Sequence, residues 1–145
     1  MESRGDLNRR NLARAFYQRA CEDREVARIL HKEGKYADSA LHSQQCGEKA
    51  IKSFLVVQNR FLTSHIVSGE LSRIIDEQNI PHSGHLLETV RHLERHWIKP
   101  RYPFLSSDGN LQDPLVIYTE KQASDALVLA ENVLIWVKNM MQDIL

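Results

Sequence analysis

Between Tyr36 and Lys52 the chain reads YADSALHSQQCGEKAIK, a helical rhythm that seats polar residues where a core helix carries leucines. Tyr36, Ala40, Gln44, Gly47, Ile51 and Phe54 recur at spacings of three and four and so share one face. Gln44 thus stands on an otherwise small or apolar stripe, and a buried amide needs partners. Asp38, His42, Gln45, Lys49 and Lys52 line a neighbouring face, with Glu48 beside them. One helix therefore offers donors, acceptors and both signs of charge. Such a face is either solvated or hydrogen-bonded within a bundle, or it recognises something.

The chain's 145 residues correspond to one domain, 1–145, long enough to bury about two-thirds of its unfolded surface without staples. Cys21 and Cys46 lie in different helical segments and form no Cys-x-x-Cys, so neither a disulfide framework nor a cysteine zinc site is expected. A reducing, cytoplasmic setting fits them. No apolar run reaches the roughly eighteen residues of a membrane span, and the Arg-rich start lacks a hydrophobic leader segment. The expectation is an unprocessed protein with no membrane contact.

The formal net charge of zero argues against a surface wholly given to phosphate binding. Its distribution is less even. Arg4, Arg9, Arg10, Arg14 and Arg19 make the start basic, while Asp113, Glu120, Asp125, Glu131 and Asp143 make the end acidic. Such ends suit either the steering of a charged ligand or the pairing of first and last helices, and pairing is the simpler expectation.

Apolar periodicity marks an all-α, five-helix up-and-down bundle. The first helix runs from an Asp6 N-cap through Leu12, Phe16, Ala20, Ala27 and Leu30 to Gly34 at C′. The second runs to about Gln58. Thr63 or Ser64 is the expected cap of the third, whose Val67, Leu71, Ile74 and Ile75 are its buried stripe before Pro81 ends it. The fourth starts near Ser83, with Leu86, Val90, Leu93 and Trp97 inward, and stops before Pro100. Thr119 and Gln122 form a capping box, with Tyr118 and Ala123 as its staple, for a fifth helix burying Leu127, Ala130, Leu134, Val137 and Met141.

Pro100 to Tyr118 is a long connection for a compact bundle, and such loops are usually functional or mobile. Its opening, Lys99-Pro100-Arg101-Tyr102-Pro103, stiffens the chain around a guanidinium and a phenol, a pair suited to a phosphate and a stacked ring. A rigid loop with Tyr102 packed down and Arg101 in solvent is the plainer alternative. Arg91, Arg95 and Lys99 recur every fourth residue ahead of it, the best phosphate-facing strip in the chain.

The segment YADSALHSQQCGEKAIKSFLV resembles the second-helix signature of HEPN domains (higher eukaryotes and prokaryotes nucleotide-binding), which begins rich in alanine or serine, carries paired glutamines, then Glu-Lys-Ala and a further Lys. Ser39, Ala40, Gln44, Gln45, Glu48, Lys49, Ala50 and Lys52 match it. Thr63-Ser64-His65-Ile66 is similar to the Thr-His step opening that family's third helix, and Arg101-Tyr102-Pro103 to its Arg-Tyr-Pro element. The resemblance covers about residues 7–143. It implies a short helical bundle, commonly a homodimer, implicated in nucleotide or RNA binding, often beside a minimal nucleotidyltransferase partner, with some members acting as toxins of toxin–antitoxin pairs.

Another branch of that family consists of metal-independent ribonucleases carrying Arg-x(4–6)-His, whose active site is completed across the dimer. A guanidinium stabilises charge on the phosphoryl group while an imidazole moves the proton. Arg91 to His96 fits, with the polar His92 directly after the arginine, although Arg24–His31 and Arg60–His65 satisfy the spacing too. Sequences carrying the Gln-Gln-Glu-Lys and Arg-Tyr-Pro elements generally lack the nuclease pair. His92 and His96, four apart, share a stripe with His85 and Thr89, but the missing Glu of an HExxH pattern and the missing third ligand leave no metal site expected.

The leading expectation is thus a non-catalytic binding module that uses no cofactor. It engages a nucleotide, RNA or nucleotidyltransferase through Gln45, Glu48, Lys49, Lys52, Arg95, Lys99, Arg101 and Tyr102, with the second helix's charged groups converging on the Arg-Tyr corner. The alternative is a ribonuclease with Arg91 and His96 as its catalytic pair. A purely structural dimer is the plainest reading.

Overall fold

The computed structural model describes residues 1–81 and 83–145. Two long helices open the chain, α1 (Arg4–Lys32) and α2 (Tyr36–Val57), joined at Gly34, whose φ of 74° only glycine adopts without strain. Shorter helices follow, α3 (Ser68–Gln78) and α4 (Gly84–Glu94), and then the last long helix, α6 (Glu120–Met140), after the connection from Pro100. That connection is not a bare loop. Phe104–Leu105 (β1) and Leu111–Gln112 (β2) pair as an antiparallel hairpin with Leu105 opposite Leu111, and Pro114–Ile117 makes the one-turn α5. The five helices anticipated are all present; the hairpin and the extra turn are additions that a stretch of breakers hides from periodicity.

The centre of the bundle is α2. Fifteen of its residues, from Ala37 to Val56, are buried, because α1, α6 and α4 all pack on it. Ala13, Ala20 and Ala27, seven apart on α1, are fully buried, so the two backbones come close enough for side chains to reach across. The Ser39 hydroxyl donates to the Ala27 carbonyl at 2.8 Å and that of Ser53 to the Ala13 carbonyl at 2.6 Å. These bonds run antiparallel. The same alanines explain why Leu12, an expected core residue, is 41% exposed: helix contact runs along the small stripe, one residue round from the leucine.

First and last helices do pair, also antiparallel, through Arg28–Glu131 at 3.0 Å, His31–Ser124 at 2.8 Å and the Arg14 guanidinium donating to the Ile144 carbonyl at 2.6 Å. The arginines of the basic start contribute less than anticipated, since Arg9 and Arg10 pair with Asp6 and Glu2 of their own segment. Phe54 and Trp136 meet edge to face, 5.0 Å between centroids, inside the α2–α6 contact. On α6 the buried stripe is Ala123, Ala126, Ala130, Val133, Leu134 and Val137, while Leu127 is half-buried at its edge.

Several boundaries differ from the sequence reading. The N-cap of α1 is Ser3, not Asp6; Asp6 occupies N3 and closes a capping box with it. The Thr119–Gln122 box on α6 is present as anticipated. Neither Thr63 nor Ser64 caps α3, which begins at Ser68: the Glu94 carboxylate of α4 accepts from the amides of Val67 (2.9 Å) and Ser68 (3.4 Å), so the cap comes from another helix. Asn79, left-handed at φ 49°, ends α3 before Pro81 is reached. The α4 helix stops at Glu94, five residues short of Lys99, and continues as successive turns that carry Trp97 and Arg101.

Candidate nucleotide-binding site

Two clusters form where the central helix turns its polar residues toward neighbours. The first faces α1. Asp23, 2% exposed, accepts from Lys49 at 2.6 Å and from His42 at 3.3 Å. Burial alone would raise this carboxyl's pKa; the hydrogen bonds and charges of His42 and Lys49 outweigh it and hold the pKa below the usual carboxylate value. Lys49 is thereby committed to the α1–α2 contact.

The second cluster lies on the other side of α2. Glu48, 7% exposed, accepts from the His65 ring at 3.0 Å and from the Gln44 amide at 3.4 Å, with the Lys52 ammonium 3.7 Å away. His65 stacks on the Trp97 indole, centroids 3.7 Å apart and planes inclined by 23°. The Arg101 guanidinium lies 3.9 Å from the same indole's centroid. A continuous path therefore runs from a buried carboxylate of α2 through an imidazole and an indole to a guanidinium. Gly47 makes room for it: a Cβ there would stand 2.6 Å from the Leu93 side chain, so α4 packs directly on the α2 backbone.

Arg101 is held by stacking rather than by an acid. Among the described residues its guanidinium has no carboxylate within ion-pair distance, and its Nε is buried without an acceptor. The Gln44 Oε1 atom is likewise buried and unpaired. A cation fixed on an aromatic face with free donors is chemically an anion receptor, planar and suited to two oxygens at once.

Of the residues anticipated from sequence, Glu48, Lys52 and Arg101 are joined in this second cluster and Lys49 is not. Gln45 is half-buried, with no side-chain hydrogen bond among the described residues. Arg95 and Lys99 are exposed, and Tyr102 is 61% exposed beside Arg101. Arg91 is also exposed, whereas His96 turns inward and shares a 2.8 Å hydrogen bond through Nδ1 with the Tyr118 hydroxyl. Burial, then the charges of Lys99, Arg95 and His92, push the His96 pKa down to about 4, and burial pushes that of Tyr118 up. The imidazole is neutral near pH 7. Sequence reasoning misses His65 and Trp97 as site residues. The four-residue spacing of Trp97 to Arg101 is the signal that was present, since turns place such a pair on one side.

No group of three or more His, Cys, Asp or Glu side chains able to hold a metal occurs among the described residues, and no helix there is long and apolar enough to cross a membrane. A HEPN domain profile matches residues 13–140. A Methanocaldococcus jannaschii protein named "Putative toxin MJ1304" is 40% identical over 136 residues, covering 90% of this chain and 89% of its own length. Two solved structures share the fold. TT1696 from Thermus thermophilus superposes with a TM-score of 0.74 at 24% identity, over 89% of this chain and 98% of that one. ST0689, described as an archaeal HEPN homologue, gives 0.69 at 28% identity, over 88% and 96%. On sequence and fold together, this chain belongs to the HEPN domain family.

Proposed function

We propose that this HEPN domain is a binding module that engages the phosphate of a nucleotide or RNA strand through Arg101, and that it works as a homodimer beside a nucleotidyltransferase partner. The observation that carries this reading is the Arg101 guanidinium, stacked on Trp97 with its donors unclaimed by any acid among the described residues. Lys99 and Arg95 extend the positive surface, and the exposed Tyr102 offers a ring for a base. Glu48 supports the pad by fixing His65 against Trp97, with Lys52 as its counter-ion. Gln45 and Lys49 belong to the rim and to the α1 contact, respectively.

The test is anisotropy of labelled single-stranded RNA, with mononucleotides as competitors, at low salt. Arg101→Ala weakens binding about tenfold or more, and Arg101→Lys, which keeps charge but loses the planar stack, recovers part of it. Equal affinity for wild type and both variants overturns the assignment.

A second reading is favoured by one observation: the His96 imidazole is oriented by Tyr118 and kept neutral. With Nδ1–H donating to the phenol oxygen, Nε2 is free to accept a proton, as a metal-independent ribonuclease pairing His96 with Arg91 requires. The name of the Methanocaldococcus relative agrees with a toxin role. RNA cut in the presence of a chelator, and spared by His96→Ala, establishes this activity; intact RNA removes it.

A further inference from the structure

Two nitrogen-bearing groups meet the Trp97 indole, not one. The His65 ring centroid lies 3.7 Å from that of the indole and the Arg101 Cζ 3.9 Å from it, so the two stand no farther apart than those lengths laid end to end. A phosphate making hydrogen bonds of about 2.8 Å on either side bridges such a span.

The proton of His65 is placed by its neighbours. Glu48 is 7% exposed, with the Lys52 ammonium 3.7 Å from Oε2, while its Oε1 accepts from the Gln44 amide at 3.4 Å. An ionised carboxylate has no hydrogen to give, so its 3.0 Å contact with the imidazole puts one on Nδ1. That leaves Nε2, which takes part in no hydrogen bond among the described residues, on a side chain 49% exposed. This atom accepts when the ring is neutral and donates when it is charged. The charged groups about the ring are Glu48 and Lys52 of α2 and Arg101 across the indole; Glu94 of α4 caps the amides of Val67 and Ser68 further along the chain.

Oxygen count decides what such a pair can tell apart. The internal phosphodiester of a strand has two non-bridging oxygens and no proton near neutrality, and one guanidinium fork satisfies both oxygens. A terminal phosphomonoester has a third, and its second ionisation falls at about pH 6, so that oxygen can share a proton with an imidazole. We propose, resting on the Arg101 reading above, that His65 Nε2 takes the third oxygen of a terminal phosphate. The site thereby selects a mononucleotide or a phosphorylated strand end over an internal phosphodiester.

Titration calorimetry of the full chain tests it with hexauridine ending in hydroxyls, in a 5′-phosphate or in a 3′-phosphate, and with UMP and its methyl ester. Wild type binds at least one phosphorylated strand about tenfold more tightly than the hydroxyl-ended one, and UMP about tenfold more tightly than the ester. Whichever of UMP and the phosphorylated strand binds more tightly names the source. His65→Gln, at an exposed position, loses the preference but keeps the affinity for hydroxyl-ended RNA, whereas Arg101→Ala weakens every probe. In wild type at pH 7.5, compared across buffers of different ionisation enthalpy, UMP binding takes up a proton and ester binding does not. Equal affinity for UMP and its ester, equal proton uptake, or a preference that survives His65→Gln overturns this inference and leaves the Arg101 reading standing. No binding of any probe by wild type overturns both.

Discussion

Asp23 keeps its charge in the α1–α2 contact only because Lys49 and His42 replace the water it lost. Asp23→Ala leaves the Lys49 ammonium without its acceptor, and urea unfolding is expected to show a loss of about 3 kcal/mol. The folded carboxyl's pKa is depressed, so its contribution is fully present above the unfolded value of 3.8 and lost as pH falls through the folded pKa. His96 works through burial of the neutral form and in another window. Its folded pKa of about 4 lies below the ordinary 6.5, so between those values the unfolded chain binds the extra proton and stability falls as the solution is acidified. His96→Gln removes that titrating group. A thermal-unfolding series from pH 7 to 4.5 is expected to show a shallower decline for the variant than for wild type.

At the scale of the element, closeness of α1 and α2 is the decisive property. Ala13, Ala20 and Ala27 let two serine hydroxyls reach carbonyls of the facing helix, contacts that larger side chains would hold apart. Ala20→Leu forces extra methylenes into a filled seam, with an expected cost of about 2–3 kcal/mol in urea unfolding. Helix ends divide by the range of their caps. The Thr119–Gln122 box is local, three residues across, and was legible; the Glu94 carboxylate that starts α3 arrives from a residue 26 and 27 positions away and was not. Threonine and serine ahead of α3 offered a local cap that the fold did not use.

At the scale of the whole molecule, the described residues between α4 and α6 expose several large apolar side chains. Ile98, Tyr102, Leu105, Leu111, Leu115 and Val116 are each more than 60% exposed, all within the stretch between α4 and α6. A lone two-stranded hairpin is marginal in water and patches of this kind normally meet a partner. Self-association through the hairpin and α5 would cover Leu105, Leu111, Leu115 and Val116, which makes these elements the expected homodimer face. Sedimentation equilibrium should therefore report a dimer for the wild-type chain and a monomer for Leu105→Asp/Leu111→Asp, whose changes lie on exposed positions and spare the core; a monomeric wild type would remove this face from consideration.

The sequence by itself determined the long helices, the pairing of the first with the last in outline, and the family, because periodicity and paired polar signatures are written along the chain at short range. It did not determine which side of α2 each polar residue would serve. Lys49 and Glu48 are neighbours in sequence, yet one meets α1 and the other meets His65. Periodicity fixes the angle of a side chain about its own helix axis; what stands opposite depends on how α1, α4 and the turns after it close around that axis. Only that closure brought His65, Trp97 and Arg101 together over a buried carboxylate.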